Sequence, residues 1–422
     1  MNRGRGSAVV RGIGLLVCLL LISFNYGEPA RLVRELPSQA YIGSDSESQL
    51  AGIGAPFSLR YGQNQQAVSQ DLSQDLSQTL SQDAAAGYSV QVDLFGLIPL
   101  KKISFYTRDS IWVMPGGYSV GVTLYTRGAL VVGLGEFETL DGTAVCPAQA
   151  AGIRVGDVIL GVNGTEVKDA AHLTALCNET QGAVDLRLAR GEESLDVTIQ
   201  PAADRQDGIY KMGMWVRDST AGIGTLSFYA MDTLRYGALG HPITDVDTGS
   251  LLSVKTGEIV QSNVVGIAQG SSGLPGEIQG AFSTVSQRLG TLETNSNIGI
   301  YGQLYSPLEN PLYPEGVLLA YPEEIHTGAA QLLTTVDENG VQAYDCQIIK
   351  TYPQTSAAAK GMVVQITDPR LIEKTGGIVQ GMSGSPIVQD GKLAGAVTHV
   401  FVNDPLRGYC IYALWMYQQT LN

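Results

Sequence analysis

The chain has 422 residues, 44% of them hydrophobic, enough for two or three domains. Only 16% are charged while glycine occurs 51 times, a balance that favours β-rich, turn-rich structure over helical bundles. A formal charge of −14 with no Lys/Arg cluster argues against a nucleic-acid partner, and the five cysteines (Cys18, Cys146, Cys177, Cys346, Cys410) and four histidines lack metal-ligand spacing.

In chain order, Arg3, Arg5 and Arg11 flank an apolar run from Gly12 to Phe24. A basic flank followed by an apolar core is the pattern of a secretory signal or signal anchor. No small-x-small cleavage site follows, so residues 1–26 read as an uncleaved anchor that leaves the rest of the chain exported. Residues 27–88 are poor in aromatics and contain the repeat Ser69-Gln70-Asp71-Leu72, Ser73-Gln74-Asp75-Leu76, Ser77-Gln78-Thr79-Leu80. Polar low complexity of this kind predicts a tether with no chemistry of its own.

From Val90 the pattern turns to strands, and residues 89–204 read as a strand extension plus a small domain with its core at about 112–201. The run Pro147-Ala148-Gln149-Ala150-Ala151-Gly152-Ile153-Arg154-Val155-Gly156-Asp157-Val158-Ile159-Leu160-Gly161-Val162-Asn163-Gly164 resembles the core of a PDZ domain. The resemblance implies a longer helix over 170–178, closing strands at 184–188 and 195–199, and addition of an extended peptide to a sheet edge. It places the N–H groups for the peptide's terminal carboxylate in Tyr118, Ser119, Val120 and Gly121. Gly133-Leu134-Gly135-Glu136-Phe137 is a lookalike that follows a strand.

Residues 205–422 form the remaining, β-rich domain. Its centre is Gly381-Met382-Ser383-Gly384-Ser385-Pro386, followed by two strands joined by Gln389-Asp390-Gly391-Lys392, an Asp-Gly hairpin signal. Loop and hairpin resemble the nucleophile region of chymotrypsin-like serine proteases. Ser383 would attack a carbonyl, with the N–H groups of Gly381 and Ser383 facing the oxyanion. A serine hydroxyl needs a base, and His is the usual one. His172 lies in the PDZ helix, His326 in a polar stretch and His399 on the strand after the nucleophile. His241, in Gly240-His241-Pro242, remains as the base. Its carboxylate orienter is left open among Asp245, Asp247 and Asp368.

Four segments taken together sharpen the picture: Gly-Ala-Leu-Gly-His-Pro-Ile (237–243), Gly-Leu-Pro-Gly-Glu (273–277), Asn-Ile-Gly-Ile-Tyr-Gly (297–302) and Gly-Gly-Ile-Val-Gln-Gly-Met-Ser-Gly-Ser-Pro-Ile (376–387). Behind a PDZ domain they resemble the stage IV sporulation protein B family, the sporulation-signalling serine peptidases of endospore-forming bacteria, over about residues 88–420. The resemblance implies His241, Asp368 and Ser383 as the catalytic residues, and so selects Asp368 as orienter. It also implies a mostly β fold in which a PDZ domain is followed by a chymotrypsin-like double β-barrel, with no cofactor. The implied activity is cleavage of a membrane-bound regulator in the space between forespore and mother-cell membranes. That cleavage triggers intramembrane processing of a late sigma factor, and self-cleavage is expected within 27–88. His399 either lines the primary specificity pocket or is structural. Met382 departs from the chymotrypsin motif, where an Asp pairs with a new N-terminus on activation. An envelope quality-control protease and an inactive PDZ scaffold are the alternative functions.

Overall fold

The computed structural model describes residues 39–41, 50, 53, 57–62, 88–106, 110–282, 286–354 and 356–421. The expected anchor (1–26) and the Ser-Gln repeat (69–83) lie outside them. The chain divides into two compact units, Met1–Ser110 and Ile111–Asn422.

In the first unit, Ser89–Leu94 is an alternating strand, as its sequence requires, and it needs partners. Ile98–Tyr106 returns beside it on one edge and Phe57–Gly62 pairs on the other, while Gln39–Tyr41 runs parallel to Ile98–Tyr106. Phe57, Val90, Val92, Leu94, Ile103 and Phe105 bury a common core. The expectation of a featureless tether over 27–88 is therefore corrected at two places. The Phe-x-Leu-x-Tyr alternation of Phe57–Gly62, beside a low-complexity stretch, is what pairs with Ser89–Leu94.

The second unit holds two closed β-barrels of six strands each. In the first, Ser119–Leu134, Met214–Ala230, Arg235–Ala238, Gly299–Gln303, Arg288–Thr291 and Val254–Gln261 pair in that order. A bridge between Gly290 and Leu304 closes the ring. Val120, Val122, Leu124, Leu226, Tyr236, Ile259 and Ile300 fill it. In the second, Gly328–Thr335, Val341–Thr351, Met362–Ile366, Asp404–Tyr412, Lys392–Phe401 and Pro386–Gln389 close on one another. Leu332, Val364, Val397 and Ile411 lie in its core. The mostly β, double-barrel fold expected from the sequence is the one found.

The PDZ body has the expected parts. Helices Pro147–Ala150 and Ala170–Thr180 and strands Val158–Val162, Val184–Arg190 and Glu193–Ile199 surround Ala129, Val131, Ile159, Leu173, Leu186 and Leu188. Asn163 and Gly164 both take left-handed backbone (φ 49° and 79°), the turn that an Asn-Gly pair favours. Buried Asp157 receives two hydrogen bonds of 2.7 Å from Arg190, which ties the loop before Val158 to the far strand.

The domain order needs one refinement. The two longest strands, Ser119–Leu134 and Met214–Ala230, are shared: their PDZ-side halves pack into the PDZ core and their other halves into the first barrel. The PDZ is thus inserted into a barrel hairpin, and barrel sequence begins before it.

Candidate active site

Ser383 sits in the turn leading into Pro386–Gln389. Met382 N–H closes onto Val379 O at 3.1 Å, and Ser385 N–H onto Met382 O at 2.9 Å. The amides of Gly381 and Ser383, between and beside these bonds, have no hydrogen-bond partner among the described residues. Both residues are half-buried. That is the arrangement expected for an oxyanion hole.

The loop is held from the first barrel by Thr225. Its amide donates to Ser383 O at 3.0 Å, and its hydroxyl donates to Gly381 O at 2.7 Å. Gly384 (φ +95°) lies so close that an added Cβ would be 2.1 Å from Thr225 O and 2.5 Å from Leu239 N. Only glycine satisfies both the dihedral and the approach.

Leu239 leads to the base. It has φ 67°, and Gly240 N–H reaches back to Ala238 O at 2.8 Å, which makes Leu239 the centre of a γ-turn of the rare, strained kind. No residue type here announces the turn, since a leucine is not a residue for left-handed backbone. The turn projects His241, whose Nδ1 stands 2.8 Å from Pro242 O. A carbonyl only accepts, so Nδ1 carries the proton and Nε2 keeps the lone pair a general base needs. Burial holds the His241 pKa below the ordinary histidine value, the Pro242 contact offsetting part of the effect.

His399 lies beside it, the ring centroids 5.4 Å apart and tilted by 43°. It is exposed, and partial desolvation, His241 and Lys360 all lower its pKa. Ser383 Oγ donates to Thr398 O at 3.2 Å, next to His399. Among the described residues no hydrogen bond joins Ser383 Oγ to His241. The serine hydroxyl rests on the backbone carbonyl next to His399, one ring of the His241–His399 cluster.

Asp368 is not part of that cluster. It caps the helix Pro369–Thr375, its side chain accepting from Arg370 N–H at 2.9 Å. The Arg370 guanidinium adds bonds of 3.1 and 2.6 Å, and Asp345 N–H one of 3.2 Å. These partners, Arg370 first, take its pKa down to about 2 despite burial. Among the described residues no hydrogen bond or ion pair joins it to His241: the Asp-Pro step starts a helix, and the carboxylate accepts from Arg370 and Asp345 there. Asp245 and Asp247 do not replace it. Both pair with Arg217, and Asp245 further accepts from Thr248 N–H and hydroxyl at 2.9 and 3.0 Å.

The expected peptide-binding residues are also elsewhere. Ser119, Val120 and Gly121 lie in the first barrel, paired on one side with Thr225, Gly224 and Ile223, and Val120 and Gly121 on the other with Gln261 and Val260. A strand paired on both sides offers no edge. The Tyr118 hydroxyl donates to Glu309 O, away from the PDZ helix. The free edge of the PDZ is Met214–Arg217, which pairs only with Leu130–Leu134 among the described residues. The segment runs antiparallel to helix Ala170–Thr180, since Tyr210 N–H donates to Asn178 at 3.0 Å and Ala170 N–H to Asp218 at 2.8 Å. Just before it, the Met212 and Gly213 amides have no partner among the described residues. The signal for this site was Met212-Gly213-Met214, a glycine between apolar residues opening a strand, but it falls after the domain's last expected strand.

Two family models match these two regions: SpoIVB peptidase S55 over residues 208–417 and PDZ domain over residues 143–190. The chain belongs to the SpoIVB-like PDZ serine peptidase family. It is also similar to a Synechocystis protein named "Putative serine protease HhoA", 40% identical over 74 residues. That match covers 17% of this chain and 18% of the Synechocystis protein. Among the described residues there is no helix long and apolar enough to cross a membrane and no His/Cys/Asp/Glu cluster that could hold a metal. Cys146, Cys177, Cys346 and Cys410 are free thiols.

Proposed function

We propose that this chain is a serine endopeptidase in which Ser383 attacks the scissile carbonyl and His241 takes its proton at Nε2. The Gly381 and Ser383 amides hold the oxyanion, and the Pro242 carbonyl sets the His241 tautomer. The observation that carries the reading is the pair of unpartnered amides on either side of Met382, whose own amide is tied back to Val379. Rotation of the Ser383 side chain from Thr398 O toward His241 precedes attack, in keeping with catalytic hydrogen bonds that tighten only when substrate is bound. The exposed ring of His399 flanks the base, where it would meet the substrate residue preceding the cleaved bond.

The PDZ presents its free edge, Met214–Arg217, to an extended peptide, with the Met212 and Gly213 amides toward a terminal carboxylate. Family membership supports a membrane-bound regulator as the protein substrate, cleaved outside the cytoplasm to trigger processing of a late sigma factor, with self-cleavage within 27–88. The anchor and the repeat concerned lie outside the described residues. Similarity to a protein named as a serine protease also fits a second reading, a general envelope protease.

Labelling by a fluorophosphonate probe tests the chemistry. Wild-type chain should label, and Ser383→Ala and His241→Ala should not, with unchanged circular dichroism. Labelling that survives Ser383→Ala would discard the assignment. Digestion of unfolded proteins at the rate of the regulator would favour the general protease.

A further inference from the structure

In the first unit the buried run Val92–Leu94 ends at Leu94. Beyond it Phe95, Leu97, Ile98 and Leu100 are 69%, 82%, 54% and 44% exposed, and Pro99 is exposed with them. The unit's core ends where Leu94 pairs with Phe57, so the hairpin tip projects past the sheet. The tip is a tight turn, with Leu97 N–H on Leu94 O at 3.1 Å and both central residues left-handed (Phe95 φ 53°, Gly96 φ 70°). Asn or Gly is the ordinary choice at the first of these positions. A phenylalanine there is held in strained backbone while its ring stays in water. A patch of this kind on a soluble domain marks an interaction surface.

The charges behind the tip identify the partner. Lys101 and Lys102 follow immediately, and Arg60 reaches Gly96 O at 3.2 Å while neutralising Asp93 at 2.8 Å. Apolar side chains foremost and cations one step behind match the layering of an anionic bilayer, hydrocarbon beneath phosphate. A second copy is disfavoured, because both tips would bring like charges together.

We propose that residues 95–102 form a membrane-docking tip, with Phe95, Leu97, Ile98 and Leu100 entering the acyl region of an anionic leaflet and Lys102 staying at the headgroups. This rests neither on the Ser383 chemistry nor on the N-terminal segment.

The test uses the full chain carrying Leu97→Trp, with the spectrum of its three native tryptophans subtracted. With phosphatidylglycerol-rich vesicles the added tryptophan should shift to the blue and be quenched by lipids brominated on their acyl chains. Pure phosphatidylcholine should give a weaker response, and Lys102→Glu should remove the difference. In the Leu97→Trp chain, Phe95→Ser/Ile98→Ser should abolish the acyl-chain quenching, because two large apolar side chains no longer leave water beside the reporter, at an unchanged melting temperature. Unshifted emission on vesicles that the chain has bound would overturn the proposal. So would a concentration-dependent blue shift without lipid, which would assign the tip to a second copy, and so would a shift produced only by a protein partner.

Discussion

His241, the proposed base, can act only while its ring is neutral, and among the described residues no carboxylate is bonded to it. Burial depresses its pKa, and the Pro242 carbonyl holds the proton on Nδ1. Hydrolysis of a peptide substrate should therefore be on its plateau at neutral pH and fall only as pH drops through a value below the usual ~6.5. An acid limb centred above that value would contradict the environment described. The same sign governs stability: the unfolded chain binds more protons below ~6.5 than the folded chain with its depressed histidines, so stability is lost as pH falls through that window. Asp368 contributes differently. Its folded pKa of about 2 means that its stabilisation is present above the ordinary carboxylate pKa and is lost as pH falls toward about 2. Replacing it with Ala removes a helix cap and should cost about 1 kcal/mol, seen as a lower melting temperature. The midpoint of the acid limb of activity should not move, and a displaced limb would restore Asp368 to the side of His241.

At the scale of elements, Thr225 acts as a brace between the two barrels. Thr225→Val keeps the amide bond to Ser383 O but deletes the hydroxyl that holds Gly381 O. It should lower kcat about ten-fold, a part of what removing an oxyanion donor outright costs, with KM little changed. A changed KM with normal kcat would move Thr225 out of this role. Gly384→Ala should abolish activity and destabilise the barrel pair, because the new Cβ has no room against Thr225 O and Leu239 N. The nucleophile turn, the Asp-Gly hairpin and the PDZ helix were legible in the sequence, because each is written in local residues: glycines at left-handed positions, alternation, and a helical period. What was not legible depends on long-range pairing. Leu239 reads as an ordinary apolar residue until the Thr225 and Gly384 backbones close around it. Asp368 looks like a free carboxylate until Arg370 and Asp345 claim it. Ser119–Gly121 resembles a peptide-binding loop until both its edges are found paired in a barrel.

Over the whole molecule, the PDZ and the peptidase share continuous strands. Met214–Ala230 runs from the PDZ edge proposed to take a peptide, through Arg217 at the junction, to Thr225 beside Ser383. Arg217 pairs with both Asp245 and Asp247, on the segment that follows His241, so one strand touches that segment as well as the nucleophile loop. This connection alters what removal of the PDZ should do. Cutting at a linker near 205 would destroy the first barrel, because it would take away Ser119–Leu134, the strand between Met214–Ala230 and Val254–Gln261. The register shows where a clean excision lies: Tyr125 faces Ser219 across the two strands, so residues 127–217 can be replaced by a short turn that keeps the barrel hairpin. The excised protein should fold, label at Ser383 and hydrolyse a small peptide, yet process a full-length protein substrate more slowly. Equal processing of both substrates would deny the PDZ a directing role. Loss of labelling in an excised protein that retains its β-sheet circular dichroism would show that the PDZ half of the strand sets the geometry around Ser383 as well as choosing what reaches it.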